Sequence, residues 1–195
     1  MKKNLYKKTV LITGSTSGIG LGIAKAFAEK GYNIVFNGLE KNGSEISLKI
    51  ARKYQIDHVF SEANMLDPRS LRDLVAQSVS HFGTIDVLIN NAGIHGVIGF
   101  TKAIALEGAP FNIACNAICP GYVKTPLVEM QIGDQAKIHN LSEQDVVSKV
   151  LLKKQAVKEF IPIELIARMA LFLASDEATT ITGTAMPVDG GWSAQ

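Results

Sequence analysis

The sequence predicts an α/β protein in which helices cover both faces of a doubly wound parallel sheet, giving three α/β/α layers. Two observations lead to this fold class. Short apolar and β-branched runs alternate with longer stretches of helical periodicity in the first half of the chain, and short loops join them. Such alternation is typical of right-handed βαβ units. A glycine-rich turn also lies directly between the first run and the first helical stretch.

The first three elements form a predicted βαβ unit. Thr9–Thr13 is a β-branched run that ends at a glycine, which indicates a buried parallel strand. A helix is expected over Gly18–Lys30, because apolar residues recur there at helical spacing and Gly31 is a suitable C-cap. Asn33–Asn37 is predicted as the second strand.

The alternation continues with two more helices and two more strands. Ser44–Tyr54 is predicted as an amphipathic helix and Asp57–Ser61 as the third strand. The next helix opens at Asp67-Pro68, with the Asp as N-cap and the Pro at the first helical position. Ile85–Asn90 is then the fourth strand. The side chains expected to face inward from the third helix are Leu71, Leu74, Val75 and Val79.

The second half of the chain predicts fewer and less regular elements. A helix is expected over Val97–Leu106 and a fifth strand over Asn112–Ala117. Leu127–Phe160 has a polar helical pattern, Pro162–Leu173 is a final helix and Thr184–Val188 is the last strand.

Length and composition favour a single domain over residues 1–195. The chain has 195 residues, 47% of them hydrophobic, and a net charge of +2 that is too small to indicate a nucleic-acid partner. Its basic start, Met1–Lys8, leads into a strand rather than into the apolar core of a signal peptide. No apolar run approaches the ~20 residues of a membrane helix. We therefore expect a cytoplasmic protein that contacts neither nucleic acid nor membrane.

The two cysteines, Cys115 and Cys119, do not indicate a metal site. Neither belongs to a C-x-x-C pair or has a histidine nearby. We interpret them as small apolar residues in a reducing compartment.

The glycine-rich turn has the sequence context of a phosphate-binding loop. Gly14 permits a tight turn, Gly18 lets the backbone approach a pyrophosphate, and Gly20 permits close packing of helix against strand. The helix N-terminus supplies free N–H groups and a partial positive charge. A Rossmann-type dinucleotide site is therefore favoured over a turn without a ligand. The expected cofactor contacts in the loop are Gly14, Thr16, Ser17, Gly18, Ile19 and Gly20.

The residues after the second strand bear on the choice of cofactor. NAD enzymes place an acidic residue there for the ribose hydroxyls, whereas NADP enzymes place a basic residue against the 2′-phosphate. Glu40 lies near the required spacing and no Arg is present, which favours NAD. Lys41 would favour NADP, but we interpret it as a surface charge. Leu39 is a further candidate contact in this segment.

Three segments in order along the chain resemble the short-chain dehydrogenase/reductase family: Thr13–Gly20, Asn90–Gly93 and Pro120–Pro126. The resemblance covers the whole length and implies hydride transfer with a nicotinamide cofactor by a homo-oligomer, a tetramer in this family. Asn64 stands where the family often has Asp, although its amide can still accept from the adenine amine. Implied contacts to the adenosine half are Asn64, Met65, Asn90, Ala92 and Gly93. Implied contacts to the nicotinamide half are Pro120, Gly121, Val123 and Thr125.

Two longer segments, Cys115–Val128 and Ile181–Trp192, look like the 3-hydroxybutyrate dehydrogenases within that family. This resemblance implies NAD-dependent interconversion of 3-hydroxybutyrate and acetoacetate. Gln131 and Trp192 would then enclose a small carboxylate substrate, and Tyr122 stands where this group commonly has Trp. For Gln131, a solvated helix residue is an equally good interpretation.

The acid–base residues of the family are missing from this chain. The family uses a Tyr with a Lys four residues later, one helical turn away, and a Ser that holds the substrate oxygen. None of the four tyrosines has a Lys at that position. The segment from His95 onward resembles the family sequence that follows the catalytic Lys. About sixty residues, two βαβ units of ~30 residues each, are thus absent between Ile94 and His95.

We assign no catalytic residue in this sequence. His95 aligns with a non-catalytic family position and has no visible partner to orient it. Two hypotheses remain: an oxidoreductase whose catalytic segment is absent from this sequence, or a catalytically dead remnant that binds a dinucleotide. If the segment is truly deleted, strand Asn112–Ala117 is expected beside and parallel to strand Ile85–Asn90. Otherwise a strand-wide gap of about 10 Å, twice the strand spacing, is expected.

Overall fold

The structure is a computed structural model that describes residues 7–91 and 97–194. The chain divides into two compact units, Met1–Gly93 and Ile94–Gln195. Each unit is described on its own below. Among the described residues, no helix is both long enough and apolar enough to cross a lipid bilayer.

The first unit contains a four-stranded parallel sheet with the strand order β3-β2-β1-β4. Its elements are β1 (Thr9–Ile12), α1 (Gly18–Glu29), β2 (Asn33–Asn37), α2 (Gly43–Tyr54), β3 (His58–Ser61), α3 (Pro68–Phe82) and β4 (Val87–Ile89). The chain leaves β1 towards β3 and then returns to the other side of β1, so that the strand order reverses there. A parallel sheet with helical crossovers confirms the predicted fold class.

The core of this unit is built on the two central strands. All four residues of β1 are buried, and Ile34, Val35 and Phe36 of β2 are fully inaccessible. Continuous apolar runs are expected in strands that have neighbours on both sides and helices on both faces. Burial of each such side chain stabilises the fold by roughly 1.5–3 kcal/mol. This core holds the carboxyl ends of β1 and β2 in register.

The ends of the helices follow the local sequence. Asp67 caps α3 by accepting hydrogen bonds from the backbone N–H groups of Arg69 and Ser70, and Pro68 is the first helical residue. Gly31, just after α1, has a φ of +81°, a conformation that glycine adopts without strain. These two features were predicted from sequence.

Helix α3 does not bury all four residues predicted to face inward. Leu74 and Ser78 are its buried residues, and they lie one turn apart. Val75 and Val79 are 48% and 43% exposed. Each follows a buried residue directly and therefore lies about 100° further round the helix, away from the sheet. The predicted inward-facing set was too wide for this reason.

The fourth strand is shorter and more exposed than the sequence predicts. Only Val87–Ile89 forms a ladder with β1, and Leu88 is 58% exposed. Asp86, one residue before the strand, bonds to Thr9 twice: its backbone N–H donates to Thr9 O at 2.9 Å, and its carboxylate accepts from Thr9 N at 2.7 Å.

The second unit contains a two-stranded parallel sheet and several helices. Its elements are α4 (Val97–Gly108), β5 (Ala117–Pro120), α5 (Pro126–His139), the short α6 (Glu143–Asp145), a π-helical turn (Val146–Leu151), α7 (Ile163–Leu173) and β6 (Ala185–Val188). Three short 3₁₀ turns follow α4, α7 and β6. The polar stretch Leu127–Phe160, predicted as helical, thus contains α5, the short α6 and the π-helical turn, and the residues after that turn are irregular.

The predicted strand Asn112–Ala117 was wrong in its limits, because β5 begins where that prediction ends. Asn112 has a φ of +58° and terminates a 3₁₀ turn. The Asn116 side chain donates to Ile181 O and accepts from Thr184 N, thereby taking the place of ladder hydrogen bonds. Regular pairing starts at Ala117, opposite Ala185 of β6.

Each ladder in the described residues lies within one unit, so the pairing expected for a true deletion stays a prediction. In these residues β4 is hydrogen-bonded to β1 and β5 to β6. The junction between Ile94 and His95 lies outside the described residues, as do Ala92 and Gly93.

Candidate cofactor-binding site

The glycine-rich loop connects β1 to α1 with two left-handed residues. Gly14 has a φ of +62° and Gly18 a φ of +50°. Gly20 lies against the loop itself, since a Cβ there would sit 2.2 Å from the carbonyl oxygen of Gly14. Ser17, the N-cap of α1, makes no side-chain hydrogen bond to the helix. The first turn of α1 therefore keeps backbone N–H groups that are available to an anion.

A buried asparagine joins the carboxyl ends of three strands beneath this loop. Asn37 is 2% exposed and ends β2. Its side-chain oxygen accepts from Gly14 N at 3.2 Å, and its amide nitrogen donates to Ser61 O and Ala63 O at 3.1 and 2.9 Å. Sequence reasoning did not give Asn37 a structural role. The available signal was a polar residue closing an otherwise apolar buried run.

A second asparagine fastens the end of β4 to the same loop. The side-chain amide of Asn91 donates to the carbonyl oxygens of Thr13 and Gly14 at 3.0 and 3.1 Å. Its backbone N–H donates to the Thr13 hydroxyl at 2.9 Å. Asn90, the predicted cofactor contact, is exposed. Asn91, the second asparagine of this pair, thus ties the end of β4 to the loop after β1.

An open cavity of about 470 Å³ lies at this edge of the sheet. It brings together four predicted cofactor contacts and four further residues: Gly14, Leu39, Asn64 and Met65, with Asn37, Gly38, Glu40 and Ala63. Leu39 is 68% exposed beside the cavity, which leaves an apolar surface for a flat ring. A Cβ on Gly38 would lie 1.9 Å from the Thr16 hydroxyl oxygen, so this wall is closed to side chains.

Glu40 lies beside the cavity and contacts the phosphate loop directly. Its carboxylate accepts hydrogen bonds from the hydroxyls of Thr16 and Ser17, the latter at 2.7 Å. The hydrogen bond from Thr16 is the main cause that holds the pKa of Glu40 below its ordinary value. The cavity therefore has a fixed negative charge at its rim at neutral pH, which suits sugar hydroxyls and repels a phosphate.

The predicted nicotinamide contacts follow β5 in the second unit. Gly121 donates its backbone N–H to Val188 O at 3.0 Å, and Val123 is 4% exposed and bridges to Ile161. Thr125 is the N-cap of α5, where its hydroxyl oxygen accepts from Val128 N at 3.3 Å.

The predicted substrate residues occupy two places in the second unit. Tyr122 and Trp192 contact each other, with ring centroids 5.8 Å apart and an interplanar angle of 46°. Gln131 is an exposed residue of α5, for which the structure records no hydrogen bond. The described part of the chain contains no cluster of three metal-ligating side chains.

These features are typical of α/β dinucleotide-binding folds: a parallel sheet, a glycine-rich loop after its first strand, and a cavity at the carboxyl edge with an acidic residue at its rim. Comparison with known families agrees with this class. Residues 8–98 match the family described as short chain dehydrogenase. Residues 95–193 match the family described as Enoyl-(Acyl carrier protein) reductase.

Two similar proteins have more specific names than these family descriptions. The chain is 34% identical to D-beta-hydroxybutyrate dehydrogenase of Rhizobium meliloti, in an alignment that covers 96% of this chain and 99% of the relative. It is 31% identical to the enzyme of the same name from Cupriavidus necator, over 98% and 100% of the two chains. The chain belongs to the short-chain dehydrogenase family of oxidoreductases.

The alignments also bear on the absent segment. The alignment with the Rhizobium enzyme has 256 positions, whereas this chain has 195 residues. More than sixty positions of the alignment therefore have no residue in this chain. The two family matches meet at residues 95–98, next to the predicted junction.

Solved structures agree on the fold. L-sorbose reductase from Gluconobacter frateurii, solved with NADPH and L-sorbose, is similar with a TM-score of 0.90 at 23% identity, over 98% of each chain. An actinorhodin polyketide ketoreductase variant with NADPH has a TM-score of 0.86 at 23% identity, over 95% of this chain and 97% of that chain. At this identity the likeness concerns the fold alone.

Proposed function

We propose that the protein is an NAD-binding member of the 3-hydroxybutyrate dehydrogenase group, with 3-hydroxybutyrate and acetoacetate as its substrate pair. The contact of Glu40 with the phosphate loop carries the choice of cofactor. A 2′-phosphate at this rim would face an ionised carboxylate, whereas ribose hydroxyls could donate to it. The relatives called D-beta-hydroxybutyrate dehydrogenase support the substrate pair.

Residues of this chain can be assigned to NAD binding, whereas none is assigned to acid–base catalysis. The first turn of α1 and Gly18 would hold the pyrophosphate, and Leu39 with Met65 would enclose the adenine. Bound NAD supplies the hydride acceptor. In the second unit, the Thr125 hydroxyl would hold the carboxamide, and Gln131 would donate to the substrate carboxylate.

A second candidate is a dinucleotide-binding protein that transfers no hydride. The observation in its favour is that the 195-residue sequence contains no Tyr with a Lys four residues later. General acid–base catalysis by a positioned side chain typically contributes 10²–10⁴-fold to a rate. For the 195-residue chain by itself we expect this second outcome.

Three measurements on one protein sample test the cofactor and separate the two candidate functions. Calorimetry with NAD and NADP tests binding, and we expect NAD to bind about tenfold or more tightly, a difference of ~1.4 kcal/mol. Equal or tighter binding of NADP would contradict the assignment of Glu40. An intact mass near 21.0 kDa shows that the sample has no additional segment. Formation of NADH from 3-hydroxybutyrate by that sample would exclude the binding-only alternative.

A further inference from the structure

A buried glutamine lies in an exposed segment of the second unit. Gln155 is 0% exposed, although its neighbours from Lys153 to Glu159 are all exposed. Among them, Val157 is 56% exposed. A chain segment that turns a glutamine inward and a valine outward reverses the usual preference of these residues. The glutamine amide must therefore have a specific role in this segment.

The orientation of the Gln155 amide follows from its partners. The nitrogen Nε2 donates to Val157 O at 2.8 Å and to Glu159 O at 2.6 Å. Both partners are carbonyl oxygens that can only accept, so the nitrogen has to face them. The two hydrogen bonds close a tight turn over residues 155–159. The oxygen Oε1 is buried and has no hydrogen-bond partner within the described residues.

The amide fills the space between two loops that follow the ends of β5 and β6. A Cβ on Gly121, after β5, would lie 3.1 Å from Gln155 Oε1 and 2.9 Å from the Cα of Asp189. A Cβ on Gly190, after β6, would lie 2.6 Å from Gln155 Nε2. Both loops therefore need glycine where the glutamine side chain passes between them.

The turn closed by Gln155 also bonds to each of these loops through the backbone. The N–H of Val157 donates to Gly190 O at 2.9 Å, and the N–H of Ile161 donates to Tyr122 O at 2.8 Å. Tyr122 and Trp192 contact each other and belong to these two loops. Residues 155–161 are thus bonded to both loops that carry the aromatic residues.

We propose that Gln155 is a positioning residue, which clamps the loops at Gly121 and Gly190 together and so holds the Trp192 ring against Tyr122. The consequence of this clamp for substrate enclosure rests on the proposed function, because the family resemblance implies that Trp192 helps to enclose a small carboxylate substrate. The clamp itself does not depend on any ligand and can be measured in the free protein.

Trp192 is the single tryptophan of the chain and therefore reports on this clamp by fluorescence. Gln155→Met keeps the length of the side chain and removes both donors. We expect its Trp192 emission to shift to longer wavelength and its acrylamide quenching constant to rise about twofold, at a temperature where the protein remains folded. The melting temperature should fall by about 2–4 °C. Gln144→Met, at an exposed position of α6, is the matched control and should match the parent in all three.

A lower melting temperature with unchanged Trp192 emission and quenching would show that Gln155 stabilises the fold without positioning Trp192. That result would overturn the proposal. If Gln155→Met does not fold, hydrogen exchange in the parent protein decides. We expect the amides of Val157 and Ile161 to exchange at least about tenfold more slowly than an unprotected chain. Exchange at the unprotected rate would overturn the proposal. NAD binding is measured separately, so failure of the proposed function would not alter these results.

Discussion

At the scale of single residues, the glycine-rich loop after β1 requires positions that have no side chain. Gly18 has a φ of +50°, and Gly20 packs against the Gly14 carbonyl. Side chains at these positions would distort the loop or occupy the space that a pyrophosphate needs.

Replacement of Gly18 by Leu should therefore abolish NAD binding. A leucine is strained at this φ and projects where the phosphates would lie. Calorimetry with NAD measures the effect. Gly99→Leu is the control, because a Cβ at Gly99 meets nothing within 4 Å. Parent-like affinity in Gly18→Leu would show that the loop is not the phosphate site.

Glu40 is expected to control the choice between NAD and NADP. Glu40→Gln removes the negative charge but keeps an oxygen that can accept from Thr16 and Ser17. The ratio of NAD to NADP affinity should fall about tenfold or more, corresponding to ~1.4 kcal/mol. Lys41→Gln is the matched control and should leave the ratio close to the parent's. An unchanged ratio in Glu40→Gln would contradict the NAD preference.

The pH dependence of this preference follows from the lowered pKa of Glu40. A carboxyl with a lower pKa in the folded state stabilises the fold above its unfolded pKa, and this contribution is lost as pH falls through the folded pKa. Glu40 is therefore ionised across the neutral range. We expect the affinity for NAD, which lacks the titrating 2′-phosphate of NADP, to stay constant from neutral pH down to the ordinary pKa of Glu and to decline only in more acidic solution, as titration calorimetry would show.

At the scale of the elements, the strand ends of the first unit are held by side chains as well as by backbone hydrogen bonds. Asn37 connects β1, β2 and the segment after β3, and Asn91 connects the end of β4 to the loop. In open parallel sheets, ligands bind outside the carboxyl ends of the strands. Amide side chains at these ends keep the carbonyl and N–H groups of the loops paired.

Asn37→Leu should destabilise the first unit by about 3 kcal/mol, because it leaves the part-buried Gly14 N–H and the Ala63 carbonyl without their partner and removes one of two hydrogen bonds to Ser61 O. Denaturant unfolding measures this loss. Asn42→Leu, at an exposed position without a side-chain cap, is the matched control and should change stability by less than about 0.5 kcal/mol. Equal losses for the two variants would contradict the role of Asn37.

At the scale of the whole molecule, the chain combines dinucleotide-site features with the absence of the acid–base pair of its family. The first unit has the phosphate loop, the cavity and Glu40, and the second unit has the Pro120–Thr125 loop. More than sixty positions of the alignment with the Rhizobium enzyme have no residue in this chain. We therefore expect this chain to bind NAD without transferring a hydride.

We expect the 195-residue chain to show no measurable dehydrogenase turnover with 3-hydroxybutyrate and NAD. Loss of the acid–base group costs about 10²–10⁴-fold by itself, and the Lys that orients the ribose in the family is absent too. NADH absorbance at saturating substrate tests this expectation. A turnover of about 1 s⁻¹ or faster, within the usual range of enzymes, would contradict it.

The sequence by itself determined those features that depend on neighbouring residues. The Asp67-Pro68 helix start, the position of Gly31 after α1, the limits of β2 and the strand–loop–helix context of the glycine turn were all predicted correctly. Caps, turns and strand runs form within a few residues along the chain, so their signals are local. The resemblance to the short-chain dehydrogenases also follows from short motifs in a fixed order.

Only the tertiary structure decided which polar side chains join distant segments. Asn91 reaches back 78 residues to Thr13, Glu40 binds hydroxyls 23 and 24 residues earlier, and Gln155 lies between two glycines from separate loops. The start of β5 likewise depends on where β6 runs beside it. An amide or carboxylate selects its partner by distance and direction in the folded chain, and a linear sequence does not contain those quantities.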